Sequence, residues 1–246
     1  MDLSIVVPCY NEQANVNLLV GGLRPVVAEL RRRHTVEVLF VDDGSVDGTG
    51  DLLESRWRDA SAVRVIRHAR NKGLGGALRT GFSHARGEVI VCNDSDSTYA
   101  YTLIPRLLEL LEPDVDVVTA SCYHPAGSVE NLPALRVLLS KAASFMYRVI
   151  LRWDIHTYTC LFRAYRRHVI QNVSFQSDDF LSVTELLANA LRAGFVVREL
   201  PCTLRVRRYG QSKARIVRII CSHLRFQWDL LRRSTVREQW PVVTSR

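Results

Sequence analysis

Through its first 120 residues the chain alternates short β-branched runs with segments of helical periodicity. Apolar runs of this kind, bounded by turn residues, are typical of buried parallel strands. With helical segments between them they predict βαβ units, and hence an α/β fold: a mostly parallel, Rossmann-like sheet with helices on both faces. The predicted strands are Leu3–Pro8, Val36–Val41, Val63–Arg67, Val89–Cys92 and Val115–Ala120, and the predicted helices are Glu12–Arg33, Asp47–Trp57 and Leu74–Ala85.

The second half of the chain is less regular. It predicts a helix over Leu132–Leu151, a strand over Leu161–Tyr165, a helix over Leu181–Ala193 and an extended segment over Phe195–Val206. A last amphipathic helix, Ala214–Arg233, should carry on one side the apolar residues Ile216, Ile219, Ile220, Leu224, Leu230 and Leu231. No repeat or Pro/Gly-rich linker interrupts the chain. We therefore expect one domain over residues 1–212 and a basic amphipathic C-terminal extension over residues 213–246.

Charge is concentrated near one end of the sequence. The 246 residues have a net charge of +8, yet residues 201–246 hold eleven Lys and Arg against two Asp and Glu, a net of +9. Residues 1–200 therefore carry −1. Because the basicity is local and no nucleic-acid-binding module is recognisable, we do not expect a nucleic-acid partner. The six cysteines have no paired spacing, which predicts reduced, mostly buried thiols.

No signal peptide opens the chain, and no apolar run approaches the ~20 residues that a membrane-spanning helix needs. The sequence therefore predicts a cytoplasmic protein, with peripheral contact at the inner face of the membrane. The C-terminal helix, with Phe226 and Trp228, suits an anionic lipid surface. The same stripe could instead pack on the domain or on a second subunit, so the oligomeric state stays open.

Polar residues follow the first two predicted strands, where a ligand of a parallel sheet would lie. The segment from Pro8 to Glu12 can form a rim for a base and its sugar, or a plain turn with Asn11 capping the next helix. The adjacent carboxylates of Asp42 and Asp43 can accept hydrogen bonds from a base N–H and from ribose hydroxyls. Asp47, by contrast, is expected to cap a helix.

Two more segments are candidates for ligand contact. Asp94 and Asp96 follow the fourth strand on either side of Ser95, so an extended backbone would point both to one face. Two hard oxygen ligands suit Mg²⁺ or Mn²⁺ shared with a diphosphate; the alternative is a solvated acidic loop. The glycines of residues 71–78 match neither nucleotide-loop pattern, and we interpret them as close helix packing with backbone freedom near a ligand.

Taken in order, four segments resemble family 2 glycosyltransferases of the GT-A fold: VVPCYNE at 6–12, VDDGSVDGT at 41–49, NKGLGGAL at 71–78 and DSD at 94–96. Three later segments are similar to the branch that contains dolichol- and polyprenol-phosphate sugar synthases: FRAYRR at 162–167, ELP at 199–201 and RYGQSK at 208–213. The resemblance covers about residues 3–213. It implies an inverting enzyme that moves a hexose from a GDP- or UDP-linked donor to a polyprenyl phosphate, with a divalent cation.

The resemblance also implies roles for individual residues. The nucleotide sugar would be held by Pro8, Tyr10, Glu12, Asp42, Asp43 and Asp94. Asp94 and Asp96 would hold Mg²⁺ or Mn²⁺, and Thr98 stands where family synthases can supply a further ligand. The acceptor phosphate would be placed by Arg136, Ser140, Arg163, Arg208, Ser212 and Lys213, of which Arg208 and Lys213 would also be catalytic.

An alternative acceptor is a hydroxyl of a saccharide or small natural product. A lipid phosphate is already ionised near pH 7 and needs cationic placement, whereas a hydroxyl needs a general base. The candidate bases are Glu185, Asp178 and Asp179, which could equally be helix-face or capping carboxylates. A nucleotide-binding scaffold without catalysis is a further alternative, against which the pair Asp94 and Asp96 argues.

Two positions depart from the pattern of the branch. Leu161 stands where a small residue is usual, and Asp154 is the one candidate for an acidic residue often found nearby. Both positions precede Phe162, in the region that the resemblance assigns to the acceptor. The sequence therefore predicts an acceptor pocket of altered shape.

Overall fold

The computed structural model describes residues 2–58, 62–206 and 216–234. Its strands are β1 (Leu3–Cys9), β2 (Val36–Asp42), β3 (Val63–Arg67), β4 (Val89–Cys92), β5 (Val117–Ser121), β6 (Ser128–Glu130), β7 (Arg163–Arg166), β8 (Val197–Pro201) and β9 (Thr203–Arg205). Its helices are α1 (Gln13–Leu30), α2 (Thr49–Arg56), α3 (Gly73–His84), α4 (Ile104–Glu109), α5 (Ala134–Leu151), α6 (Arg167–Asn172), α7 (Leu181–Arg192) and α8 (Ile216–Ser234).

Seven strands form one sheet in the order β3-β2-β1-β4-β7-β5-β8. β7 runs antiparallel to both its neighbours, and the other pairs are parallel. The chain moves outward from β1 to β3 and then returns to β4 on the other side of β1. Ligands of open α/β sheets bind at the carboxyl ends of the strands beside such a switch point. The ends of β1 and β4 therefore mark the place to look for a site.

Helices cover both faces of the sheet, which confirms the predicted α/β fold. Along β1, Leu3, Ile5 and Val7 pack into a core shared with α1 and α4, whereas Val6 faces the core that contains α3 and α7. Successive side chains of an extended strand point to opposite faces of the sheet, which explains this alternation. Each fully buried side chain of this kind contributes about 1.5–3 kcal/mol to folding.

The short elements were not all predicted. α4, α6 and β6 are absent from the prediction because helices of six residues and a strand of three are too short to show a periodicity. β7 begins at Arg163 instead of Leu161, and the extended segment is divided at Cys202 into β8 and β9. Five of the six cysteines are buried, as expected, and Cys221 is exposed.

The prediction for the C-terminal helix is partly wrong. In α8, Leu230 is buried with His223 and Gln227, but Leu224 and Leu231 are exposed, so the apolar side chains do not share one side. α8 contacts α5 and α7. The predicted boundary at residue 212 lies outside the described residues. Among the helices of the described ranges, none has the length and apolar composition needed to cross a membrane.

Candidate active site

The loops that follow β1 and β2 are joined by hydrogen bonds. Asn11, at a φ of +50°, donates its backbone N–H to Ser45 Oγ (2.8 Å), and its Oδ1 accepts from the Val46 N–H (2.9 Å). The Glu12 N–H donates to Thr49 Oγ1 at 2.8 Å. Glu12, and not Asn11, occupies the N-cap position of α1. Asn11 therefore links two loops at the edge of the sheet instead of capping a helix.

Asp47 has a structural role, but Gly48 and not Asp47 occupies the N-cap position of α2 that we predicted for it. Its Oδ1 accepts from the Thr49 N–H (3.0 Å), and its Oδ2 accepts from the Gln13 N–H (3.1 Å). Burial raises the pKa of Asp47, but the hydrogen bonds from Thr49 and Gln13 outweigh burial and hold the pKa below its usual value. The carboxylate thus fixes the start of both α1 and α2.

Three of the residues predicted to hold the nucleotide sugar lie together at the end of β1. Pro8 and Tyr10 are half-buried, and Glu12 is buried. The Glu12 Oε2 accepts from Asn15 Nδ2 at 2.5 Å, which orients the carboxylate in the first turn of α1. These side chains stand beside the switch point, where the fold places a ligand. Their contact with a nucleoside stays a prediction.

The carboxylate of Asp43 organises the loop that begins α3. Its Oδ1 lies 2.6 Å from His68 Nδ1 and accepts from the Lys72 N–H at 2.8 Å. Its Oδ2 accepts from Asn71 Nδ2 and from the Gly73 N–H, both at 2.8 Å. Four such contacts satisfy the acceptor capacity of a carboxylate. A nucleoside would have to share these oxygens, so the geometry favours a positioning role for Asp43.

Asp42 is buried as well. Its Oδ1 accepts from the Ser45 N–H at 3.1 Å. Gly50 packs so closely on the other oxygen that an added Cβ would lie 2.4 Å from Asp42 Oδ2. The two acids that we expected to meet the nucleoside are therefore directed into the protein, and they shape the loops around the site.

The glycines at the start of α3 pack against the loop before α7, as the sequence predicted. Gly73 has a φ of +80°, and a Cβ added to Gly75 would lie 1.9 Å from the carbonyl oxygen of Ser177. The Gly75 N–H donates to the Asp178 carbonyl oxygen at 3.0 Å. Larger side chains would separate the two segments, so glycine is required here by close approach.

Asp94 and Asp96 lie half-buried in the turn after β4. The Asp94 N–H donates to Asn93 Oδ1 at 2.8 Å, and the Asp96 Oδ1 accepts from the Thr98 N–H at 3.1 Å. Ser97, between Asp96 and Thr98, takes a φ of +58°. Local hydrogen bonds thus hold a tight turn that presents both carboxylates at the carboxyl edge of the sheet, beside the end of β1.

This turn fits a divalent cation of the Mg²⁺ or Mn²⁺ type. In the described part of the chain, no group of three or more His, Cys, Asp or Glu residues is arranged to hold a metal. Mg²⁺ is commonly bound through one or two carboxylates together with substrate phosphates and water. Asp94 and Asp96 supply that number of carboxylates, so the remaining ligands would come from a diphosphate and water. Thr98 contributes its backbone to the turn.

We predicted that Arg163 contacts the acceptor phosphate, but the structure places its side chain in the core. Its side chain is fully buried, with Nε donating to Thr119 Oγ1 at 2.9 Å and Nη2 donating to the Tyr158 carbonyl oxygen at 2.6 Å. Nη1 donates to the Val183 carbonyl oxygen. The guanidinium therefore joins β5, β7 and α7 inside the core. Its charge made it a candidate in the sequence, but its partners are mostly backbone carbonyls, which leave no sequence signal.

The other predicted acceptor residues are divided between α5 and residues outside the described ranges. Arg136 is exposed in the first turn of α5, and Ser140 Oγ lies 2.7 Å from Thr159 Oγ1. The remaining three, Arg208, Ser212 and Lys213, lie outside the described residues. The last described backbone bond before them runs from the Arg205 N–H to the Thr98 carbonyl oxygen at 3.0 Å. The described chain before residue 207 thus passes beside the Asp96 turn.

The three candidate bases are engaged in structural contacts. The Glu185 carboxylate is buried and accepts from the backbone N–H groups of Gln176 (3.1 Å) and Ser177 (2.9 Å). Asp178 forms an ion pair with Arg79. Asp179 accepts from the Leu181 N–H and from Ser222 Oγ, both at 2.8 Å. Asp154 is exposed and pairs with Arg148 at the end of α5. The geometry favours structural roles for these four acids.

One polar pair in the second half of the chain was missed. His156 Nδ1 lies 2.7 Å from Glu199 Oε2, and Glu199 Oε1 accepts from the backbone N–H groups of His156 (2.9 Å) and Thr157 (3.0 Å). The two side chains are 43 positions apart, so periodicity could not join them. The one signal was the place of Glu199 in the ELP segment, which sequence reasoning used for resemblance alone.

Comparison with known proteins identifies the family of this chain. The family model described as glycosyl transferase family 2 matches residues 4–174. The chain is 36% identical over 216 residues to a polyprenol monophosphomannose synthase of Mycolicibacterium smegmatis, which covers 85% of this chain and 79% of the relative. It is 32% identical over 219 residues to an undecaprenyl-phosphate mannosyltransferase of Micrococcus luteus, which covers 87% of each chain.

A solved structure shares the fold. Glucosyl-3-phosphoglycerate synthase of Mycobacterium tuberculosis, crystallised with Mn²⁺, uridine-diphosphate-glucose and glycerol 3-phosphate, superposes with a TM-score of 0.69. The match covers 92% of this chain and 79% of that one, at 19% sequence identity. At this level of identity the likeness concerns the fold.

Proposed function

This chain belongs to glycosyl transferase family 2, and from that premise we propose that it transfers a hexose from a GDP- or UDP-linked donor to a polyprenyl phosphate, with inversion at the anomeric carbon. The observation that carries the proposal is the Asp94–Asp96 turn at the β1/β4 switch point, in a chain whose relatives are named for polyprenyl-phosphate substrates. The turn supports a donor with a diphosphate and a divalent cation, and the names of the relatives support the acceptor.

The donor site lies between the ends of β1 and β4. Pro8, Tyr10 and Glu12 form one wall for the nucleoside, and Asp43 holds the Asn71–Gly73 loop at the other side. Asp94 and Asp96 face the diphosphate and would hold Mg²⁺ or Mn²⁺. The cation, when bound, neutralises charge that develops on the departing nucleoside diphosphate.

The acceptor phosphate attacks the anomeric carbon without a general base, because it is already ionised. Arg136, Ser140, Arg208, Ser212 and Lys213 are proposed to orient it. Cations that place an ionised nucleophile contribute by orientation and by screening its charge against the donor diphosphate. The support in the described residues is that β9 reaches the Asp96 turn, through the bond from the Arg205 N–H to the Thr98 carbonyl oxygen, and that Ser140 of α5 meets Thr159 in the loop before β7.

Transfer to a hydroxyl remains the alternative, and the structure gives it less support. The carboxylates proposed as its base, Glu185, Asp178 and Asp179, are held by backbone N–H groups, by Arg79 or by Ser222. Proton abstraction needs a carboxylate within hydrogen-bond reach of the acceptor. A carboxylate committed to a loop is poorly placed for that task.

We further propose that the protein works at the cytoplasmic face of the membrane by peripheral contact. The outward side of α5 exposes Leu135, Leu138, Phe145, Met146 and Val149, and the outward side of α8 exposes Val217, Leu224, Trp228 and Leu231. α5 contains no acidic residue. In α8 three arginines lie next to the exposed apolar residues in sequence, namely Arg218, Arg225 and Arg232. An exposed apolar stripe flanked by cations complements an anionic bilayer, where a polyprenyl phosphate resides.

The reaction is tested by incubating the protein with GDP- and UDP-sugars, a short polyprenyl phosphate and Mg²⁺ or Mn²⁺. We expect a glycolipid whose formation ceases with a chelator and falls by about 100-fold or more in Asp96→Asn, since a metal ligand is lost. Asp114→Asn is the matched control, because Asp114 is an exposed acid paired with Arg198 away from the site. Equal activity in both variants would contradict the assignment of Asp96.

A further inference from the structure

His156 is held rigidly at the carboxyl edge of the sheet. Its Nδ1 lies 2.7 Å from Glu199 Oε2, and the other oxygen of Glu199 accepts the backbone N–H groups of His156 and Thr157. The Glu199 side chain is 6% exposed, whereas that of His156 is 18% exposed. Because Nδ1 is engaged, the nitrogen that can meet a ligand is Nε2, and it has no hydrogen-bond partner among the described residues.

The imidazole contacts a neighbouring segment, residues 123–124, that basic and hydroxyl side chains of α5 approach. The ring of His124 stands edge-on to it, with centroids 5.2 Å apart. Next to His124, the ring of Tyr123 has Lys141 Nζ 5.5 Å above it. Burial raises the pKa of Tyr123 to about 12, and a hydrogen bond with Ser140 and the charge of Arg136 oppose that rise. Arg136, Ser140 and Lys141 of α5 therefore converge on the segment that contains His124.

The same segment borders the Asp94–Asp96 turn. Tyr99, three residues after Asp96, donates its hydroxyl to Cys122 Sγ at 3.6 Å. Burial is the main cause that raises the pKa of the Cys160 thiol, and the nearby charge of Asp94 raises it further. Cys160 adjoins Thr159, whose hydroxyl meets Ser140. The imidazole thus belongs to a group of residues between α5 and the site of the departing diphosphate.

Building on the proposed function, we propose that His156 is a further ligand of the acceptor phosphate, with Nε2–H donating to a non-bridging oxygen. Glu199 acts as a positioning residue, because its carboxylate fixes the ring through Nδ1 and the backbone on either side. A carboxylate that fixes one ring nitrogen commonly sets the orientation of the other. No bond to the transferred sugar is made or broken by His156; its contribution is to the binding of the nucleophile.

The test compares His156→Asn with His156→Gln in the transfer assay with a short polyprenyl phosphate. The amide of Asn can still reach Glu199 but not the position of Nε2, whereas Gln carries its amide nitrogen close to that position. For His156→Asn we expect the KM for the acceptor to rise about tenfold or more, as for a lost hydrogen bond to a charged group, with the donor KM unchanged. His156→Gln should recover part of that loss.

His168 provides a matched control. Its Nε2 lies 2.8 Å from Asp116 Oδ1, so it forms the same kind of pair, but at the amino end of β5. His168→Asn should leave the acceptor KM unchanged. As a readout without turnover, calorimetry with the short polyprenyl phosphate alone should show weaker binding to His156→Asn than to the unmodified protein.

Two results separate the failure of this proposal from the failure of the proposed function. If the unmodified protein glycosylates the polyprenyl phosphate and His156→Asn keeps the same acceptor KM, the role of His156 is overturned and the reaction stands. If the unmodified protein uses hydroxyl acceptors but no polyprenyl phosphate, the proposed function is overturned, and this assignment with it.

Discussion

Arg163 and Arg136 illustrate how burial decides what a charged residue does. Arg163 is fully buried and donates to Thr119 Oγ1 and to two backbone carbonyl oxygens, whereas Arg136 is exposed on α5. A buried cation with this many partners holds segments together, and its loss leaves carbonyl groups without donors. An exposed cation near a site can meet a ligand at little cost to the fold.

We expect Arg163→Met to lower the free energy of unfolding by about 3 kcal/mol, because Thr119 Oγ1 and the buried carbonyl oxygens of Tyr158 and Val183 lose their charged donor. Urea unfolding measures this change. Arg136→Gln is the comparison variant, and it should leave the unfolding midpoint unchanged while raising the KM for the acceptor phosphate. Equal unfolding midpoints for Arg163→Met and the unmodified protein would contradict the structural role.

At this scale the sequence predicted where candidate residues lie in the fold better than which groups they contact. Asp94 and Asp96 were placed correctly, because two acids directly after a buried strand must lie at its carboxyl end. Asp43 and Arg163 were assigned to ligands, yet their partners are backbone atoms and residues distant in sequence. Such partners depend on the tertiary fold, and so they are not visible in a local motif.

At the scale of elements, the contact between α3 and the loop before α7 depends on glycine. A Cβ at Gly75 would lie 1.9 Å from the Ser177 carbonyl oxygen, whereas one at Gly21, in α1, would meet nothing within 4 Å. The two positions therefore separate packing from helix propensity.

Gly75→Ala should lower the free energy of unfolding by about 1–3 kcal/mol through overpacking. Gly21→Ala should raise it by about 0.5–1 kcal/mol, because alanine loses less backbone entropy on entering a helix. Thermal or urea unfolding of the two variants checks both signs. If both substitutions were stabilising, the close approach of α3 to residue 177 would be disproved.

The contact between α5 and α8 should weaken in mild acid. Tyr147 OH lies 2.9 Å from His223 Nδ1, and burial lowers the pKa of His223 below 6.5, although the charge of Asp179 opposes the shift. Below about pH 6.5 the unfolded chain therefore binds a proton that the folded chain resists, so stability is lost as the pH falls toward the lowered value.

The measurement is the Tm at pH 7.5 and pH 5.5 for the unmodified protein and for His223→Gln. The Tm of the unmodified protein should fall on acidification, and the fall should be smaller in His223→Gln, which has no imidazole to protonate at this position. The pKa of Asp179 lies below 3.8 and so does not change the comparison in this range. An identical fall in both proteins would show that His223 is not responsible.

The prediction was most successful for apolar strands and for the longer helices. β1 to β5 and α1 to α3 were identified within a few residues of their bounds, because the strands are apolar runs bounded by turn residues and the helices carry two or more turns of apolar periodicity. α8 was identified as a helix, but its apolar side chains were assigned to one side. In the structure Leu230 packs inward while Trp228 and Leu231 face outward, and only the packing against α5 and α7 determines this division.

At the scale of the whole molecule, the exposed apolar sides of α5 and α8 carry the proposed membrane contact. Vesicles that contain an anionic phospholipid should sediment with the protein, and binding should weaken with salt, because the flanking arginines act through charge. Phe145→Ser and Trp228→Ser should each reduce binding several-fold. Val46→Ser is the control, since Val46 is 89% exposed in the loop between β2 and α2. Equal sedimentation of all three variants would contradict the assignment of this surface.

The nature of the acceptor is the central claim, and a paired transfer experiment tests it most directly. The protein, a divalent cation and a panel of GDP- and UDP-sugars are incubated with a short polyprenyl phosphate or with the corresponding polyprenol, which differs only in lacking the phosphate. We expect a glycosylated product from the polyprenyl phosphate and none from the alcohol, since the candidate bases Glu185, Asp178 and Asp179 are held in structural contacts. Transfer to the alcohol, or to saccharide hydroxyls with the polyprenyl phosphate left unchanged, would contradict it.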